Sequence, residues 1–191
     1  MMEDYENVRV IDTLTTICGL RFLVNEAIQL KVDTLDELEI KLRDLQKRIR
    51  IVAGIDTLEY LYKGGRLTKT ASLVGNVIGL KPIISVVDGK VVVLAKRRGR
   101  KHAMQYVLDK FQTSDIDERY PVYGIYSMNE TNYHELYDAL TEERLRKAVQ
   151  NYENIAPVIG CHVGPGAYGF VYIEKAVSYT HLRAHETELH L

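Results

Sequence analysis

Hydrophobic positions in the first 56 residues alternate between helical and strand spacing. Two amphipathic helices are predicted, over residues 17–30 and from residue 34 onward. Thr34 and Glu37 have the spacing of a capping box, in which hydroxyl and carboxylate each bond a free backbone amide. Behind them runs a core stripe of four residues: Leu38, Leu42, Leu45 and Ile49. β-Branched runs at 8–11 and 51–55 predict flanking strands, and this order is typical of a parallel α/β sheet.

The segment 57–84 holds the most distinctive pattern, and we expect the rest of the chain to be organised around it. An apolar turn leads into Gly64 and Gly65, and Arg66 follows directly. Two adjacent glycines let the backbone turn tightly and aim the next side chain. A second amphipathic run carries Leu73, Val77 and Leu80. The pattern predicts a helix, a glycine hinge, an arginine, a helix and a strand.

The later half predicts an antiparallel sheet with packed helices. Two β-branched runs, 83–87 and 91–95, flank Asp88 and Gly89, a pair that suits a type I′ hairpin turn. The pattern predicts five further elements: a helix at 100–111, a strand at 122–126, helices at 133–140 and 143–152, and a strand at 170–173. We therefore expect a mixed α/β (α+β) protein with two different sheets.

The first predicted sheet is too small to stand alone, because two parallel strands leave both edges open and bury little core. Either later elements complete it, or residues before Met1 are missing. The later pattern predicts a separate sheet and so favours the second alternative. The last sixteen residues, 176–191, hold three of the six histidines without periodicity. They resemble translated cloning sequence, and we expect a non-native tail rather than a metal site.

Composition narrows the function classes only slightly. The chain has 191 residues, 46% of them hydrophobic and 27% charged, with a net charge of −1. That balance predicts a globular protein and gives no global field for nucleic acid or an anionic membrane. Cys18 and Cys161 match no metal spacing, and we expect both to be reduced and buried in a cytoplasmic protein. We expect no signal peptide and no transmembrane segment.

Three features are candidate sites: Arg66, the basic cluster 96–101 and His162, which lies in the segment GCHVGPGAYG. Each feature alone is weak evidence for a functional site, since exposed arginines and structural histidines are common. Together, guanidinium and imidazole groups beside glycines would make a good receptor for a carboxylate or phosphate. The segment 65–70 lacks the spacing of a phosphate-binding loop, and no aromatic-rich strands accompany the basic cluster as RNA binding would suggest.

Four segments carry a family resemblance: LEYLYKGGR (58–66), LVGNVIGLKPII (73–84), KRRGRKHA (96–103) and GCHVGPGAYG (160–169). In this order they resemble the DegV family of bacterial fatty-acid-binding proteins, over about residues 7–175. The resemblance implies two α/β domains with an acyl chain between them. It divides the chain into a remnant of the N-terminal domain, 1–56, a C-terminal domain, 57–175, and the tail, 176–191. The serine-rich loops that bind the lipid carboxylate in the family would precede this chain.

The resemblance also implies site residues and partners. Arg66 and His162, with Gly65, Gly164 and Gly166, would bind the ligand, and no residue is expected to be catalytic or to hold a metal. Three basic residues would dock the partner or lie at the head group: Arg98, Arg100 and Lys101. Leu67 departs slightly from the family pattern, where isoleucine is commoner.

By resemblance, the chain is similar to the lipid-carrier subunit of fatty acid kinase. It would need no cofactor, bind a long-chain fatty acid and present the carboxylate to the catalytic subunit of that kinase, which transfers the phosphoryl group. The resemblance implies no nucleic acid and allows transient contact with a membrane surface. The alternative is an interaction or regulatory domain that docks a protein or RNA through cluster 96–101 without lipid.

Overall fold

The computed structural model describes residues 7–67 and 79–176. Within them lie seven helices: α1 Cys18–Gln29, α2 Leu35–Arg48, α3 Glu59–Lys63, α4 Arg100–Gln112, α5 Thr131–Asp138, α6 Glu143–Ala148 and α7 Pro157–Val163. They also contain six strands: β1 Ile49–Gly54, β2 Leu80–Val87, β3 Lys90–Arg98, β4 Val122–Tyr126, β5 Val149–Asn154 and β6 Tyr168–Ile173. The predicted mixed α/β class is confirmed. The predicted run at 73–77 and nearly all of the predicted tail lie outside the described residues.

All six strands belong to one sheet, in the order β3-β2-β1-β6-β4-β5. β1 lies near its centre and pairs antiparallel with both β2 and β6, and only β4 and β5 pair in parallel. The expectation that strand 51–55 belongs to a separate parallel sheet is therefore wrong. Backbone hydrogen bonds of the sheet cross the boundary predicted between residues 56 and 57. The strand at 51–55 was predicted from its own spacing, but spacing carries no information about which strands pair.

Helices cover both faces of the sheet and create two cores. Along β6, Tyr168, Phe170 and Tyr172 point to one core and Val171 and Ile173 to the other, as strand alternation requires. We call the side packed by α1, α2, α3 and α7 the first face and the side packed by α4, α5 and α6 the second face. The candidate site lies on the first face, which carries the short helices α3 and α7.

Local signals predicted two features correctly. The Thr34 hydroxyl accepts a hydrogen bond from the Glu37 amide at 3.2 Å and caps α2, while the Glu37 carboxylate pairs with Lys41 at 2.7 Å. Asp88 and Gly89 both have positive φ, 48° and 73°, as a type I′ turn requires. The β2–β3 hairpin therefore follows from its own sequence.

Three predictions were wrong. Residues 8–11 form no strand; Val8 and Val10 are 42% and 63% exposed, so this run has no buried face to stabilise one. The helix predicted over 143–152 ends at Ala148, and the following residues extend into β5 at the sheet edge beside β4. Cys18 is buried, and burial raises the pKa of its thiol to about 12, whereas Cys161 is exposed.

Candidate functional site

A cavity of about 220 Å³ lies on the first face of the sheet. Its apolar wall includes Ile51 and Ala53 of β1 and Ile55 directly after it, and these alternate along the chain so that all three point to the same side. Arg66 and His162 also line it. Tertiary folding thus brings together two predicted site residues that lie almost a hundred positions apart in the sequence. The cavity is lined from both sides of the boundary predicted at residue 56.

The two motif segments pack against each other through their glycines. An ideal Cβ on Gly64 would lie 2.1 Å from Nδ1 of His162, so the imidazole sits directly on the Gly64 backbone. In return, an ideal Cβ on Gly164 would lie 2.4 Å from the ring of Tyr60. Each motif therefore supplies a glycine that makes room for an aromatic ring of the other. A side chain at either glycine would separate α3 from α7.

The two glycines before Arg66 have different functions. Gly64 has φ −78°, which any residue adopts, and is needed for the close approach of His162. Gly65 has φ 71° and open space around it, so its need is conformational. The turn is closed by the Arg66 amide, which donates to the Leu61 carbonyl at 2.8 Å. The Arg66 guanidinium donates to the carbonyl of Gly64, the glycine that the His162 ring also contacts, at 2.8 Å, and both side chains line the cavity.

The imidazole of His162 is partly enclosed. Its Nδ1 is buried and has no hydrogen-bond partner among residues 7–67 and 79–176. An unpaired buried nitrogen costs free energy, so each such group in a native structure calls for an explanation. A ring held this way next to a guanidinium is suited to a negatively charged ligand group.

The glycine turn after His162 is held by two residues that the sequence analysis missed. The buried Ser127 hydroxyl donates to the Gly164 carbonyl at 2.6 Å and accepts from the Ala167 amide at 2.9 Å. Asn132 donates from Nδ2 to the Gly166 carbonyl at 2.8 Å. Ser127 follows β4 directly and Asn132 lies in the first turn of α5, both far from the motif in sequence. For Ser127, its position where a strand ends could have suggested a role; for Asn132 the sequence carries no such signal.

The basic cluster 96–101 lies apart from the cavity. Arg97 stacks on the ring of Tyr106 at 4.6 Å, and Arg100 donates to Asn132 at 2.9 Å and pairs with Glu135 at 3.2 Å. Arg100 therefore reaches the turn that holds Gly166 indirectly, through Asn132.

Arg98 and Lys101 are exposed and do not line the cavity. Two arginines of the cluster are thus engaged within the protein, which weakens the alternative of a continuous docking surface for RNA.

Two kinds of feature are absent from the described part of the chain. None of its helices has the length and apolar character needed to cross a membrane. No group of three or more histidine, cysteine, aspartate or glutamate side chains there is arranged to hold a metal ion.

Comparison with known structures gives the same architecture. The chain superposes on a fatty acid binding DegV family protein from Streptococcus agalactiae with a TM-score of 0.79 and 26% identity, covering 92% of this chain and 63% of the other. For a DegV family protein from Thermus thermophilus, described for its fatty acid binding, the TM-score is 0.75 and the identity 26%, with 91% and 63% covered.

Sequence comparison agrees. A DegV domain-containing protein from Caldanaerobacter subterraneus is 32% identical over 178 residues, which cover 91% of this chain and 63% of the relative. One from Clostridium acetobutylicum is 31% identical over 176 residues, covering 91% and 62%. The chain spans about three-fifths of the length of these curated relatives. A sequence model described as "Uncharacterised protein, DegV family" matches residues 1–175. The chain therefore belongs to the DegV family.

Proposed function

We propose that this chain binds a long-chain fatty acid, with the carboxylate at Arg66 and His162 and the acyl chain along the β1 wall. The single observation that carries the proposal is one cavity that combines an apolar wall with a guanidinium and an imidazole. Such a site matches an amphiphile with one negative end. The fatty acid binding described for the Streptococcus and Thermus proteins supports the same ligand class.

The physical chemistry divides the affinity between the two ends of the ligand. Burial of the acyl chain contributes about 0.8 kcal/mol per methylene, so it supplies most of the free energy of binding. Each charge-assisted hydrogen bond of the carboxylate contributes about 1.5–3 kcal/mol and fixes its orientation. The cavity of about 220 Å³ is smaller than the roughly 300–1,000 Å³ typical of ligand pockets. We infer that it encloses part of a long acyl chain.

Recognition of the carboxylate is tested by comparing a fatty acid with the alcohol of the same length. We expect the acid to bind wild-type protein at least tenfold more tightly, because only the acid is ionised. In Arg66→Ala and His162→Ala this preference should shrink, while affinity for the alcohol changes little. Arg43→Ala removes an exposed guanidinium outside the cavity and serves as the control. An unchanged preference in both site variants, measured by fluorescent displacement, would show that the carboxylate lies elsewhere.

We further propose that the chain is a non-catalytic carrier that presents the bound carboxylate to a fatty acid kinase subunit, which transfers the phosphoryl group from ATP. The support is chemical. The carboxylate end would lie beside the short α3 and its glycine turn, and exposed Arg98 and Lys101 offer positive charge to an acidic partner. Retention of the fatty acid and docking of the kinase subunit would then depend on different residues.

This separation predicts the behaviour of Arg98→Ala. We expect fatty acid affinity to stay within twofold of wild type, because Arg98 does not line the cavity. The rate of phosphorylation by a kinase subunit should fall several-fold at low salt, and less at high salt where steering is screened. The measurement is the phosphorylation rate of both proteins as ionic strength rises. A wild-type rate that is indifferent to salt would refute electrostatic docking.

A further inference from the structure

The cavity has two chemically different ends, set by the direction of the strands. Ile55 lies near its polar end, because β1 ends there and Gly54 pairs with Tyr168, next to Ala167 of the cavity wall. Ile51 lies toward the opposite end, where β2 runs into the hairpin turn at Gly89. At about 3.3 Å per residue, the wall from Ile51 to Ile55 is about 13 Å long.

A short loop lies at the end opposite Arg66 and His162. Residues 14–17 connect the N-terminal segment to α1, and Thr15, Thr16 and Ile17 line the cavity together with Gly89. We call residues 14–17 the end-wall loop. The loop closes this end of the cavity, so a methylene that reaches it finds no further apolar surface of β1 to contact.

The end-wall loop is fixed from two sides. The Gly89 amide of the hairpin turn donates to the Leu14 carbonyl at 3.0 Å. The Leu14 amide donates to the Asp12 carboxylate at 3.1 Å, and the Asp12 carbonyl accepts from Gln46 of α2 at 2.7 Å. The position of the loop therefore depends on both the hairpin and α2.

The backbone of the loop indicates that these contacts determine its conformation. Leu14 and Ile17 have φ of 47° and 48°, which residues other than glycine rarely adopt. Thr15 also packs directly on Gly19 of α1, where an ideal Cβ would lie 2.1 Å from Oγ1. Conformations of this kind persist where the surrounding structure imposes them. The loop is therefore a rigid end to the cavity.

We propose that the end-wall loop sets the acyl-chain length that the protein accepts, with Thr16 as a specificity-determining residue. The inference rests on the proposed fatty acid binding and adds an upper limit on the length of the acyl chain. Affinity should rise about fourfold with each added methylene while the chain extends along the β1 wall. Once the chain reaches the loop, further methylenes should add nothing or weaken binding. The length at which affinity stops rising is the quantity that the loop controls.

The test is a titration of saturated acids from octanoic to octadecanoic acid against wild type, Thr16→Ala and Thr16→Leu. We call the acid length at which affinity stops rising the break. Thr16→Ala should move the break to a longer acid, and Thr16→Leu should move it to a shorter one. The control is Ile159→Ala, which lies one turn before His162 at the polar end. It should lower affinity for all acids by a similar factor and leave the break in place. Circular dichroism and thermal melting establish that each variant is folded.

The outcomes separate the two proposals. Wild-type protein that binds no acid in the series overturns fatty acid binding and the inference with it. Wild-type protein that binds, but whose break stays fixed in Thr16→Ala, leaves fatty acid binding intact and overturns the role of the loop. A break that moves equally in Ile159→Ala also overturns it, because the limit would then not belong to one end.

Discussion

Phe170→Ala should lower the free energy of unfolding by about 3–5 kcal/mol, the usual cost of removing a buried aromatic ring. Phe170 is fully buried on β6, near the centre of the sheet, and stacks on Phe111 of α4 at 4.2 Å between ring centroids. Truncation would leave a cavity between sheet and helix that the rigid strands cannot close. Urea unfolding followed by circular dichroism measures the change.

This loss should not extend to the ligand site. Phe170 faces α4 on the second face, whereas the cavity lies on the first face, so the folded fraction of Phe170→Ala should bind fatty acid with nearly wild-type affinity. Val158→Ala is the surface control, since Val158 is 70% exposed and should change stability by no more than about 0.5 kcal/mol. A cost below about 1 kcal/mol for Phe170→Ala would contradict the described packing of α4 on the sheet.

Gly64→Ala should cost about 2–3 kcal/mol of stability and weaken fatty acid binding, because its new Cβ would overlap the imidazole of His162. The ring must then move away from the cavity or α3 must separate from α7. The neighbouring Gly65→Ala is the matched control. It meets no atom within 4 Å and should cost only the strain of a positive φ, about 1–2 kcal/mol.

A double-mutant cycle distinguishes overlap from strain. In a His162→Ala background the ring is gone, so Gly64→Ala should cost at least about 1 kcal/mol less than in wild type. Gly65→Ala should cost the same in both backgrounds. Equal costs of Gly64→Ala with and without His162 would show that the imidazole does not rest on that glycine.

The sequence singled out individual residues of the candidate site but not how they assemble. It singled out Arg66, the glycines before it and His162 because guanidinium and imidazole groups, each beside glycines, together would suit a carboxylate or phosphate. It could not show that Gly64 makes room for a ring from α7, since that contact joins residues almost a hundred positions apart. It also missed Ser127 and Asn132, which hold the glycine turn through backbone carbonyls. Hydrogen bonds of this kind leave no periodic trace in a sequence.

By itself, the sequence determined the features that depend on a few neighbouring residues. Examples are the capped start of α2 at Thr34 and the type I′ turn at Asp88 and Gly89, where side-chain chemistry and backbone sterics act within one or two turns of chain. Tertiary structure decided which strands pair. β1 has the composition of a buried strand in any sheet, and its two antiparallel neighbours come from elements that follow it in the chain. Tertiary structure also decided the conformation of residues 149–154, which form β5 although the sequence predicted a helix as far as residue 152. The hydrogen bonds offered by the edge of β4 outweigh a weak local helix preference.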